Sequence, residues 1–135
     1  MNGDINELSK QILGACIEVH KHLGPGLLES AYEEALALAL SDVGLRYVRQ
    51  PRLAVMFKGR PLDANYRADF VVEDAVVVEL KAVEALIPVH KAQLLTYLRA
   101  SGLTLGLLIN FHAPTLRGAI SRVVNGAPDL PRDFA

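Results

Sequence analysis

Tryptophan is absent from these 135 residues, and cysteine occurs once. A single thiol rules out an internal disulfide framework and a Cys-based zinc cluster. Cys16 lies among apolar helical positions and reads as a small core residue rather than a nucleophile. Long hydrophobic runs are missing as well. No stretch approaches the ~20 apolar residues of a membrane helix, and ALALAL (Ala35 to Leu40) is short and flanked by acids. The opening MNGDINELSKQ lacks the basic-then-apolar layout of a secretory signal. The expectation is a cytoplasmic protein with no membrane contact. Charge of either sign is not in excess: 14 Lys and Arg stand against 15 Asp and Glu, with a pI near 6.4. That balance argues against a protein that coats nucleic acid non-specifically. It leaves room for an enzyme that meets nucleic acid through one local patch and bound metal ions.

What is present is apolar material. Hydrophobic residues make up 51 % of the chain and mean hydropathy is +0.25, enough for a real core in one domain. No repeat or low-complexity linker divides it. Residues 1–126 read as the domain, and APDLPRDFA (127–135) reads as a loose tail. Asp4 or Asn6 can cap a first helix running to about His22, with Ile5, Leu8, Ile12, Ala15, Cys16, Val19 and Leu23 on one face. LGPG (Leu23 to Gly26) breaks it. A second helix starts near Leu27 or Leu28 and reaches about Asp42, with Gly44 as a stop.

Strands follow at roughly Arg46–Phe57 and Arg60–Ala64, separated by the turn KG. YRADFVVED and AVVVELKAV come next, joined by a tight turn at Glu73 and Asp74. Pro88 opens a third helix, about Val89 to Ser101, closed by Gly102. LTLGLLINF is again β-leaning, so strand, helix and strand form a βαβ crossover. AISRVV offers one more strand. The order α-α-β-β-β-β-α-β predicts an α/β (α+β) fold, a mixed central sheet with helices on both faces. Arg46, Arg49, Arg52, Lys58, Arg60 and Arg67 crowd the middle, and their plain reading is a solvated face of a β-meander.

VVVELKAV (Val76 to Val83) reads as a central strand covered on both sides, yet it contains Glu79 and Lys81. Two residues apart on a strand, they share a face. Burying charge is costly, even as a pair. Asp69 lies ten residues upstream of Glu79, and the Glu73–Asp74 turn brings it near the level of Glu79. Facing carboxylates need a cation, and Mg²⁺ takes one or two carboxylates together with water and substrate phosphate. The main-chain carbonyl of Leu80 could add a ligand. Lys81 could position or deprotonate a water, or neutralise charge on a phosphate. The competing reading is a buried Glu–Lys pair beside a surface Asp. Glu29, Tyr32 and Glu33 share one face of the second helix, although an acid in the first turn also suits the helix dipole alone. His90, Gln93, Leu94 and Tyr97 form a stripe on the third helix. Gln93 could hold water or phosphate near the lysine; alternatively His90 and Gln93 are solvated and Tyr97 packs.

GLLESAY (Gly26 to Tyr32) carries a Gly-x-x-Glu-x-x-Tyr pattern. Together with ADF, VELK, HKAQLLTYL and GLLINF it makes the chain resemble the GxxExxY family from about Leu8 to Val124. That family is placed in the PD-(D/E)XK nuclease-like superfamily. The resemblance implies a restriction-endonuclease-like core and a Mg²⁺ or Mn²⁺ site built from Glu29, Asp69 and Glu79. Lys81 and Gln93 would complete it. Tyr32, His90 and Tyr97, on the faces of the second and third helices described above, are candidates for a supporting part. Where the superfamily has a proline before the aspartate, this chain has Ala68. The implied activity is Mg²⁺-dependent hydrolysis of phosphodiester bonds in DNA or RNA. Two rivals stand beside it: a catalytically silent nucleic-acid- or protein-binding module, and a homodimer pairing through the GLLINF or AISRVV strands.

Overall fold

The structure, a computed structural model, describes residues 2–126, and the expected loose tail at 127–135 lies outside the described residues. Helix α1 spans Asn2–Leu23. It buries Ile12, Ala15, Cys16 and Val19, the i, i+3, i+4, i+7 stripe visible in the sequence. Burial pushes the Cys16 thiol up to about 12, consistent with a packing role. Helix α2 is Glu29–Asp42. Between the helices, Gly24 and Gly26 adopt positive φ, which lets the chain turn where a side chain would strain.

Five strands form the main sheet and two form a separate ribbon. In chain order they are β1 (Tyr47–Arg49), β2 (Arg52–Phe57), β3 (Arg60–Arg67), β4 (Phe70–Val72) and β5 (Val76–Lys81). Helix α3 (Pro88–Ser101), β6 (Leu105–Asn110) and β7 (Ile120–Val124) complete the chain. The main sheet runs β1-β4-β5-β6-β7, while β2 and β3 pair only with each other. β5 and β6 are parallel with α3 between them, and the other pairs are antiparallel.

Strand alternation divides the core into two layers. Val76, Val78, Leu80, Leu105, Leu107 and Ile109 face α1 and α2. Val77 and Leu108 face α3 and meet Leu94, Leu95, Tyr97 and Leu98. Helices therefore cover both faces, which explains why β5 and β6 are continuous apolar runs. Gly106 allows the closest approach: a Cβ there would lie 2.8 Å from Leu94 Cδ1. Among the described residues no helix is long and apolar enough to cross a membrane.

The strands differ from expectation at two places. The run Arg46–Phe57 is two strands in two sheets. Pro51 has no N–H to donate and Gln50 sits at φ 55, so pairing stops there. YRADFVVED likewise divides: Tyr66 and Arg67 finish β3, Asp69 occupies a bend, and β4 is only Phe70–Val72. AISRVV does form a strand, at the sheet edge. The Glu73–Asp74 turn stands as read, with φ of 54 and 55 and the Ala75 N–H donating to the Val72 carbonyl at 3.0 Å.

Candidate active site

The β4–β5 register pairs Phe70 with Val78. One step further along, Asp69 stands opposite Glu79. Alternation sends Glu79 and Lys81 to the α3 side with Val77. Asp69 Oδ2 accepts a hydrogen bond from the Leu80 N–H at 2.7 Å. Glu29, first residue of α2, reaches the same end of the sheet: its Oε2 accepts from the Ala82 N–H at 3.3 Å. The acids thus gather at the C-terminal end of parallel strand β5, where open α/β sheets bind ligands.

Glu79 is 5 % exposed, and its Oε1 is buried with no hydrogen-bond partner. Burial first, then the charge of Asp69, pushes its carboxyl up to about 8, although Lys81 and the Asp69 N–H pull the other way. Asp69 is pushed up to about 6, by burial above all and then by Glu33 and Glu29, against the Leu80 hydrogen bond. Lys81 is partly buried, and among the described residues no ion pair closes on it.

A main-chain clasp holds Asp69 in its bend. Gln50 N–H donates to the Asp69 carbonyl at 2.8 Å, and Ala68 N–H donates to the Pro51 carbonyl at 3.3 Å. A proline at position 68 would forfeit the second bond, a physical reason for alanine there. Behind the clasp lies Glu33, which the sequence placed on the Glu29 face without assigning it work. It is buried, and its Oε2 accepts from Arg49 Nε at 2.7 Å and Gln50 Nε2 at 2.9 Å. Gln50 therefore fastens both acids, one through its backbone and one through its side chain.

The remaining predicted residues divide. Tyr97 is buried beside Tyr66, with ring centroids 5.9 Å apart. Burial and the charge of Glu79 raise both phenols, so these rings stand within electrostatic reach of the acids on the α3 side. Tyr66 was missed: three residues before Asp69, it falls on the opposite face by strand alternation, and only the break at Ala68 and Asp69 brings both to the α3 side. Tyr32 is committed elsewhere. Its hydroxyl donates to the Gly24 carbonyl at 2.5 Å and accepts from the Leu27 N–H at 3.1 Å, while its ring stacks on Phe111. His90 closes the start of α3, with Nδ1 accepting from the Ile87 N–H at 3.1 Å. Gln93 is exposed, and among the described residues no hydrogen bond joins it to the acids.

Among the described residues no three His, Cys, Asp or Glu side chains stand close enough to hold a metal ion together. A cleft of about 660 Å³ lined by Asp4, Glu7, Gly44 and Glu73 lies at the other end of β4 and β5, away from these carboxylates.

The fold is of the nuclease type. The chain belongs to the PD-(D/E)XK nuclease superfamily, which matches it over residues 6–123. No curated protein and no solved structure matches it.

Proposed function

We propose that this chain hydrolyses phosphodiester bonds of nucleic acid with Mg²⁺ or Mn²⁺ bound beside β5. One observation carries the reading: Glu79 Oε1 is buried without a partner, opposite Asp69. A buried carboxylate oxygen left unanswered costs stability, and a hard cation answers it. Superfamily members generally use divalent metals, and the donor set here is all oxygen, as Mg²⁺ prefers. Asp69 and Glu79 would hold the ion, with Glu29 reaching it through water. Peptide alternation turns the Leu80 carbonyl to the same strand edge as its N–H, which makes it a further donor. Two carboxylates suffice, because Mg²⁺ keeps water and substrate phosphate for its other positions.

When bound, the ion lowers the pKa of a water and stabilises charge on the phosphate. Lys81 donates hydrogen bonds that orient the attacking water and neutralise charge on the phosphoryl oxygens. The water oxygen bonds to phosphorus, the P–O ester bond breaks, and a proton passes to the leaving oxygen. The Glu33–Arg49–Gln50 cluster keeps Asp69 in place, and Tyr66 and Tyr97 wall the α3 side. Gln93 would meet the substrate phosphate from α3.

The test is a metal-dependent cleavage screen over single-stranded, duplex and branched DNA and RNA, run beside Glu79→Ala. Cleavage should require the divalent ion and vanish in the variant. Cleavage that survives Glu79→Ala would reject the assignment. Tight binding with no cleavage in any metal would instead establish a silent binding module.

A further inference from the structure

The six cations between Arg46 and Arg67 are not one patch. Arg46 pairs with Glu73 and Arg49 with Glu33, so both already have an acid partner within the chain. The other four, Arg52, Lys58, Arg60 and Arg67, all lie on the β2–β3 ribbon and are exposed. Among the described residues none of the four has an ion pair. Asp63 is the one acid on the ribbon, so residues 52–67 carry net +3 in a chain of net −1. The rest of the chain is therefore net −4.

Arg52 and Arg67 stand directly opposite each other in the ribbon register. Such side chains start about 5 Å apart at Cβ, and like charges so placed destabilise a hairpin. Their neighbours Leu53 and Tyr66 turn inward to pack against the α3 layer, which leaves the two guanidiniums on the outer face. An arrangement that weakens the free protein and has no internal anion fits an external one. The ribbon is also rooted at the acids. Arg67 is two residues before Asp69, and Arg52 is two residues after Gln50, whose N–H holds the Asp69 carbonyl. The tip carries Lys58 and Arg60 around a tight turn, with φ of 50 at Lys58 and 76 at Gly59. Met56, Phe57 and Leu62 are exposed beside them, and Lys58 Nζ lies 5.5 Å from the Phe57 ring centroid.

We propose that the β2–β3 ribbon is a backbone-binding arm for duplex DNA. Arg52 and Arg67 together grip one phosphate near the scissile bond, and Lys58 and Arg60 reach a second phosphate across the major groove. This rests on the phosphodiesterase reading above. From Arg52 to Lys58 the strand extends about 20 Å, more than the ~12 Å width of the B-DNA major groove, which admits a two-stranded ribbon. The major groove of A-form RNA is deep and narrow and does not.

Fluorescence anisotropy of a 20-base-pair duplex DNA, titrated with the full chain in EDTA over a range of salt, tests the arm without competing hydrolysis. Each lost phosphate contact lowers the slope of log K against log salt by about 0.9. Arg52→Ala with Arg67→Ala should lower it by about 0.9, Lys58→Ala with Arg60→Ala by a similar step, and all four by about 1.8. Lys10→Ala, exposed on α1, should change nothing. The tip pair is exposed beside a turn, so it reads out even if the Arg52 and Arg67 changes disturb folding. An unchanged slope in the tip variant, or an equal loss on duplex RNA, overturns the proposal. Metal-dependent cleavage with an unchanged slope rejects the arm and keeps the nuclease. An arm-dependent slope with no cleavage does the reverse.

Discussion

Asp69 is tied to Leu80, the residue after Glu79, by a 2.7 Å hydrogen bond from the Leu80 N–H to Oδ2. β4 begins only at Phe70, so a side chain supplies the acceptor that a longer strand would have offered. The aspartate therefore fastens β5 and faces the buried glutamate at once.

These two jobs can be separated. Asp69→Asn keeps an oxygen acceptor for Leu80 but removes the charge. It should melt at or above the parent without metal and lose Mn²⁺ binding. Asp69→Ala also orphans the Leu80 N–H, so it should be less stable than Asp69→Asn by about 1–3 kcal/mol. Calorimetric titration and thermal melts measure both. Equal Mn²⁺ affinity in the parent and in Asp69→Asn would remove Asp69 from the metal site.

The raised carboxyls set a pH dependence with a definite sign. Burial first, then Asp69, pushes Glu79 up to about 8, and burial first, then Glu33, pushes Asp69 up to about 6. Both folded values exceed the unfolded ones, so the native state keeps protons that the unfolded chain has released. Stability then falls as pH rises, from about pH 4 through about pH 8. Metal-free melts in EDTA should drop across that window, Mg²⁺ should raise the melting temperature most at its upper end, and Glu79→Gln should flatten the profile. A metal-free profile that rises toward pH 8 would mean that Lys81 and the Asp69 N–H outweigh burial at Glu79.

A third prediction isolates the scaffold from the site. A Cβ on Gly106 would meet Leu94 at 2.8–2.9 Å, and Leu94 is fully buried between α3 and the sheet. Gly106→Ala should cost about 1–3 kcal/mol. Adding Leu94→Ala should recover part of that loss, because the clash partner is gone, so the two effects would fall short of additive. Urea unfolding of the two single variants and the double variant gives the coupling. Strict additivity would show that the helix simply shifts away.

Much of this was legible in the sequence, for local reasons. The α1 stripe follows from 3.6-residue spacing, and the Glu73–Asp74 turn fixes the β4–β5 register that sets Asp69 against Glu79. Lys81 shares the face of Glu79 by strand period alone. What stayed hidden depends on contacts distant along the chain. Nothing near Gln50 announces its positive φ, which is held by bonds to Asp69 and to Glu33, 17 residues away. Glu33 looked like Glu29 until folding brought Arg49 to it. His90 and Tyr32 carry polar atoms that suit a site as well as a helix cap or a loop tie, and only their partners decide between these uses.

Lys81 separates an enzyme from a binding module. It is partly buried and has no ion-pair partner among the described residues, and its charge lowers the pKa of Glu79. Lys81→Met removes that charge, so Glu79 should hold its proton more tightly and Mn²⁺ binding near neutral pH should weaken. Lys81→Arg keeps the charge, so metal affinity should survive. The guanidinium is broader and its donors are fixed in a plane, so it cannot hold a water as an ammonium does. Turnover should therefore fall about a hundredfold or more in both variants, the scale of a lost electrostatic or acid–base group. Single-turnover cleavage at saturating Mn²⁺ corrects for the affinity change in Lys81→Met and isolates the chemical step. If Lys81→Arg cleaves at the parental rate, the lysine acts only through its charge on Glu79, and water orientation passes to another group. If Lys81→Met also cleaves undiminished once metal is saturating, the lysine has no part in the chemistry, and the mechanism drawn from β5 fails.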